Sequence, residues 1–203
     1  MTDESGRYQI IYNGEIYNYV ELRQQLESRG ETFFSHSDTE VILRLFMAEG
    51  PAAVEKLNGM FSIVIWDRTE RTLFAARDRL GIKPFYYYLD KEQFVFGSEP
   101  KALFASGLVP AEMSPEGMSD YLTFQFCLED KTLFRGVRKL EPGCWMLVTP
   151  DGQIKIEKYW ALDFHVDTDH TAHYFESCLK KLLEDAVRIQ LRADVPVGAH
   201  LSG

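Results

Sequence analysis

Apolar positions follow two periods along the chain, and the switches between them mark out the elements. Alternation over 8–12 (YQIIY) predicts a strand ending at Asn13-Gly14. Tyr19, Leu22 and Leu26 then fall on one face of a helix from about Tyr19 to Arg29, with Asn18 and Glu21 in capping-box positions and Gly30 as the stop. Ser37 and Glu40 repeat the capping-box spacing ahead of Val41, Ile42, Leu45 and Phe46, a helix halted by Gly50-Pro51. A short helical piece, Ala52 to Leu57, follows.

The period then drops to two. MFSIVIWD (60–67) and TLFAARD (72–78) flank the turn RTER, and PFYYYLD (84–90) and QFVFGSE (93–99) flank Lys91-Glu92. Aromatic and β-branched runs joined by short polar turns predict an antiparallel meander. Helical spacing returns over Lys101–Ala105 and Pro115–Phe126, and CWMLVT (144–149) with IKIEKYW (154–160) makes one more hairpin around Pro150-Asp151-Gly152. Ala161 to His170 is poor in large aliphatics and reads as a linker. Beyond it, Phe175, Leu179, Leu182, Leu183, Val187 and Leu191 keep helical spacing over about His173–Arg192, and VPVGAHLSG (195–203) reads as a short apolar strand entering a Gly/Ser loop.

Composition narrows the function classes. A chain of 203 residues that is 45% hydrophobic and 13% aromatic can bury a core without disulfides or metals. The balance of 31 acidic against 22 basic residues argues against a nucleic-acid surface. The longest uncharged apolar run, Met60 to Trp66, is far short of the ~20 residues of a membrane helix. Cys127, Cys144 and Cys178 are odd in number and widely spaced, which is no disulfide framework. The N-terminal MTDESGR is polar, unlike a targeting segment, so a reducing cytoplasm is the expected setting.

Several clusters could carry chemistry. Asn13-Gly14 is a strong hairpin-turn signal. The turn is the reading the pattern favours; the functional alternative is an oxyanion hole, because a side-chain amide and a backbone N–H on adjacent residues can point at one carbonyl oxygen, with glycine permitting close approach. Ser37-Asp38-Thr39-Glu40 reads as capping, with carboxylates favoured at a helix start, and Asp38 there could also hold an ammonium group. Arg77-Asp78-Arg79-Leu80-Gly81-Ile82-Lys83 reads as a salt-bridged connection between strands, and Ser98-Glu99 with Lys101 reads similarly. His170-x-x-His173 followed by Cys178 is a poor metal pattern, so no metal site is expected. Cys127 and Cys144, in apolar surroundings, read as core thiols.

Taken together, NGEIYNY (13–19), SDTEVIL (37–43), LNGMFSIVIWD (57–67), RDRLGIKPFYY (77–87), FGSEPKAL (96–103), EPGCWMLV (141–148), Tyr159-Trp160 and VPVGAHLSG (195–203) resemble, in the same order, the motifs of glutamine-hydrolysing asparagine synthetases. The resemblance implies an α+β fold: a glutaminase domain of the N-terminal-nucleophile hydrolase type, an αββα sandwich of antiparallel sheets, over 1–160. It implies a linker over 161–170, and over 171–203 the first helix and strand of an α/β ATP-pyrophosphatase domain. It implies glutamine and aspartate as substrates of the parent enzyme, ATP and Mg as its cofactors, and ammonia passed from glutamine to an aspartyl-adenylate. Relatives with these motifs amidate other acceptors, such as sugars or β-lactam precursors. Asn13 and Gly14 match the oxyanion hole, Glu15 and Asp38 the groups that hold the glutamine ammonium, and Leu201, Ser202 and Gly203 the opening of the nucleotide loop.

Two features depart from the family. Its nucleophile is a cysteine at the processed N-terminus, and this sequence has none before Cys127. Its arginine for the glutamine carboxylate has no match, since Arg7 falls on the strand beside Asn13-Gly14. The expectation is a fragment shortened at both ends that catalyses neither half-reaction, or a glutamine-binding module without catalysis. Exposed sheet edges and the apolar stripe beyond His173 are expected to drive homo-oligomerisation.

Overall fold

The computed structural model describes residues 1–193 and 195–201. They form two compact units, 1–161 and 162–203, each described by itself.

In the first unit the chain runs through β1 (Tyr8–Ile16), α1 (Tyr19–Ser28), α2 (Asp38–Glu49), a 3-10 turn at Gly50–Ala52 and α3 (Ala53–Lys56). It continues through β2 (Gly59–Asp67), β3 (Thr72–Arg77), β4 (Tyr86–Leu89), β5 (Phe94–Gly97), α4 (Pro100–Ala105) and α5 (Pro115–Phe124). The short β6 (Val137–Lys139), then β7 (Cys144–Val148) and β8 (Ile154–Lys158), complete it. The strands build two antiparallel sheets, of order β1-β2-β3-β7-β8 and β5-β4-β6.

Alternation along each strand decides the layering. Ile10, Ile16, Phe61, Ile63, Ile65, Phe74 and Trp145 face one way and bury with Leu22 and Leu26 of α1 and Val41, Ile42 and Leu45 of α2. Val64, Ala75, Met146 and Val148 face the other way and pack on Phe85, Tyr87 and Leu140, the layer between the sheets. The far face of the smaller sheet, Tyr86, Tyr88 and Val137, is covered by Leu103 and Phe104 of α4. The result is the helix–sheet–sheet–helix sandwich that the motifs imply.

Local details depart from the pattern-based expectations. The predicted meander is divided: β2 and β3 join the larger sheet, and the loop 78–85 carries the chain into the smaller one. Neither capping box closes as drawn. Asn18 makes no cap; its Nδ2 donates to Lys56 O and its Oδ1 accepts from Asn58 N–H, tying the start of α1 to the approach of β2. Ser37 does cap α2, accepting from Thr39 N–H at 3.1 Å. Glu40 turns instead to Ser35, whose N–H and hydroxyl donate to Oε2, and to Phe34 N–H. Burial of Glu40 works to raise its pKa, but the Ser35 hydroxyl, these amides and nearby Arg44 bring it below the ordinary value.

At the far end of β1, the Arg7 guanidinium donates to Asp67 from Nε at 3.0 Å and Nη2 at 2.6 Å, joining the residue before β1 to the last residue of β2. This bond is the main reason the Asp67 carboxyl titrates at about 2; burial opposes it, and the Thr69 and Glu70 amides assist. A pKa lowered by folding stabilises the protein above the unfolded value, and that stabilisation is lost as pH falls through the folded one. With Arg7 partly exposed, Asp67→Asn is expected to cost about 1 kcal/mol at neutral pH. The difference should shrink between about pH 4 and pH 2. Urea unfolding of both proteins across that range checks it; a difference independent of pH would contradict the assignment.

In the second unit, α6 (Ala172–Gln190) begins at Thr171, whose hydroxyl accepts from Tyr174 N–H. Its apolar stripe, including Leu179, Leu182, Leu183 and Val187, is exposed. Val195 to Leu201 is irregular rather than the predicted strand. Among its described residues this unit holds no strand.

Candidate functional site at the open edge of β1

Asn13 and Gly14 do not form a hairpin. β1 runs straight through them, with Asn13 opposite Ser62, Gly14 opposite Phe61 and Glu15 opposite Met60. The nonlocal pairing with β2 overrides the local turn signal.

This register fixes where each group points. Arg68 N–H donates to Arg7 O and Tyr17 N–H to Asn58 O, so the odd residues of β1 bond towards β2. The even residues face the opposite edge, where Ile10 exchanges backbone bonds with Met1. The Gly14 N–H therefore faces the edge of the sheet. Asn13 and Glu15 share the face of Ser62 and Val64, away from α1 and α2, and both are exposed. Asn13 Nδ2 donates to Ser98 Oγ at 3.2 Å, just beyond β5, so the second sheet holds the amide.

Gly14 is required by its neighbours. At φ +157°, a Cβ there would lie 2.1 Å from Met60 O and 2.8 Å from Phe61 Cα, both backbone atoms. Gly59 makes the reciprocal approach, its missing Cβ 2.1 Å from Glu15 O.

Asp38 reaches the same edge from the first position of α2. Its Oδ2 accepts from the Tyr12 hydroxyl at 2.8 Å and from Ile16 N–H at 3.1 Å. Its Oδ1 accepts from the Ser37 and Thr39 hydroxyls, at 3.5 and 3.4 Å. Burial, and then the Asp38 charge, push the Tyr12 phenol well above its ordinary pKa, so it remains a donor. The fold thus brings Asn13, Gly14, Glu15 and Asp38 to one end of one strand. Tyr12 and Ser98, which no motif singled out for these contacts, hold two of them.

The other candidates take structural parts. Arg77 donates to the carbonyls of Lys83, Leu140 and Gly81, which occupies its guanidinium and leaves it unsuited to an anion. Burial lowers its pKa. Glu99 and Lys101 form an exposed ion pair. Cys144 is buried and its thiol pushed up by that burial, while Cys127 Sγ contacts Gly117 O. No metal-ligating cluster occurs among the described residues. Nor is any helix among them long and apolar enough to cross a membrane. A cavity of about 390 Å³ between the β4–β5 and β7–β8 turns includes none of the four edge residues. Leu201 is exposed in the second unit, and Ser202 and Gly203 lie outside the described residues.

The two antiparallel sheets layered between helices are the fold expected of a glutamine amidotransferase domain. Residues 1–160 match that family, and the chain belongs to it. The fold agrees: glutamine phosphoribosylpyrophosphate (PRPP) amidotransferase from B. subtilis superposes with a TM-score of 0.57 at 22% identity, over 79% of this chain and 31% of that one.

Residues 178–203 match a second family, asparagine synthase. Asparagine synthetase [glutamine-hydrolyzing] 1 of Bacillus subtilis is 41% identical over 98% of this chain and 31% of its own length. A putative asparagine synthetase [glutamine-hydrolyzing] of Methanocaldococcus jannaschii is 39% identical over 96% of this chain and 38% of its own. Amidase chry2 of Gibberella zeae is 35% identical over 99% and 30%. The chain thus spans about a third of the length of these curated relatives.

Proposed function

We propose that this chain is the glutamine-binding part of a glutamine-hydrolysing asparagine synthetase. The observation that carries the reading is the meeting of Asn13, the outward Gly14 N–H and Asp38 at one sheet edge. Ile16 N–H, which Asp38 accepts, is the next outward amide after Gly14, roughly 7 Å along the strand. An extended glutamine separates its ammonium nitrogen from its side-chain carbonyl oxygen by a similar span, about 5–6 Å.

In this reading Asn13 Nδ2 and Gly14 N–H donate to the side-chain carbonyl oxygen of glutamine and stabilise the negative charge that develops there. Asp38, with Glu15 on the adjacent face, takes the α-ammonium. The attacking group is a thiolate, which residues 1–126 do not contain. Polypeptide 1–203 by itself is therefore proposed to bind glutamine without releasing ammonia. Residues 1–160 are the glutaminase portion, 161–170 the linker and 171–203 the start of the synthetase portion. The parent protein is proposed to use ATP with Mg to activate aspartate in the cytoplasm; the match at 178–203 supports the ATP-dependent synthetase part of that reading. Leu201, Ser202 and Gly203 are the proposed nucleotide-loop residues.

The test is titration of the chain with L-glutamine by calorimetry or NMR. Asp38→Asn should weaken binding roughly tenfold or more, as loss of a charge-assisted contact does. A chain that binds no glutamine, or an Asp38→Asn variant that binds it unchanged, overturns the reading.

A further inference from the structure

Asp38 is held by a group outside the motifs. It is only half-buried at a helix start, where an aspartate side chain has more than one staggered rotamer and can turn to solvent. Two donors prevent this by sharing Oδ2: the Tyr12 hydroxyl from within β1, and Ile16 N–H from its end. Tyr12 packs partly against the core between α1, α2 and the larger sheet, so its hydroxyl is delivered from a fixed ring. With Oδ2 committed, Oδ1 retains lone pairs and two hydroxyl contacts at the limit of hydrogen-bond range.

We propose that Tyr12 is a positioning residue for glutamine binding, orienting Asp38 so that Oδ1 meets the substrate ammonium. The inference rests on the function proposed above and adds a specificity element to it. A hydroxyl that orients the carboxylate acts only on ligands with an ammonium group. A residue that merely packs acts on every ligand.

The experiment compares L-glutamine with its analogue lacking the α-amino group, on the full chain and on Tyr12→Phe, Asp38→Asn and the double variant. Tyr12→Phe removes one oxygen and keeps the ring. It should weaken glutamine binding roughly five- to tenfold and leave the analogue unchanged. In the Asp38→Asn background the same change should add nothing, because the carboxylate it orients is gone. Equal loss for both ligands, no loss for either, or an undiminished effect in the Asp38→Asn background overturns the positioning role while the glutamine reading stands. A parent chain that binds no glutamine overturns both.

Discussion

Gly14→Ala is expected to destabilise the first unit by about 3 kcal/mol or more, from overpacking and backbone strain together. The added methyl carbon would sit 2.1 Å from Met60 O, 2.8 Å from Phe61 Cα and 3.0 Å from Met60 C. All three belong to the backbone of β2, so no side-chain rotation relieves the clash. The two strands must part where Gly59 makes its own approach to Glu15 O. Gly30 is the control. It too has positive φ, +94°, but nothing lies within 4 Å of its absent Cβ. Gly30→Ala should therefore cost only about 1 kcal/mol of backbone strain. Urea unfolding of the two variants decides the matter, and a Gly14→Ala cost no larger than that of Gly30→Ala would show that close approach does not select glycine. Parting the strands also moves the outward Gly14 N–H, so the proposed glutamine binding should fall with stability.

The contrast between the glycines shows what a sequence can carry. Gly30 was legible because it ends a helix whose apolar period has already been counted. Gly14 was legible as important but not as a strand residue. Its constraint comes from Met60 and Phe61, distant in sequence, and Asn-Gly reads locally as a turn whatever lies opposite. The same limit explains the smaller sheet: β4 and β5 were visible as alternating runs, but the three-residue β6 has too few positions for any period. Asn18 and Glu40 sit at capping-box spacing, yet each found partners outside its own helix start. Asn13, Gly14, Glu15 and Asp38 were named from motifs. Tyr12 lies outside every motif and Ser98 reads only as part of a charged connection, because their contacts exist only once strand register and sheet order are known.

Asp78 carries the other large expected effect. The charged run 77–83 reads as a salt-bridged turn, but Asp78 bonds to backbone instead. It is 1% exposed. Its Oδ1 accepts from Leu80 and Ile82 N–H, and its Oδ2 from Lys83 and Phe61 N–H. Its own N–H donates to Phe61 O, so where β3 stops at Arg77 the Asp78 backbone and side chain supply one further rung to β2. Removing the carboxylate strips an acceptor from four amides, and stranding a buried donor costs about 1–3 kcal/mol. Leu80 and Ile82 are exposed and water can replace part of their bonding. Asp78→Ala is accordingly expected to cost about 3–5 kcal/mol. Asp78→Asn keeps the volume but only one acceptor oxygen, and should recover less than half of that loss. Leu80→Ala, at an exposed position of the same loop, should stay within about 0.5 kcal/mol. Hydrogen exchange locates the damage: Phe61 N–H should lose protection in Asp78→Ala and keep it in Leu80→Ala. Because Phe61 lies opposite Gly14, loosening this rung reaches the strand that presents the proposed oxyanion donor. A denaturation midpoint for Asp78→Ala no lower than that of Leu80→Ala would mean that the loop is held by the Arg77 bonds to Lys83, Leu140 and Gly81 instead.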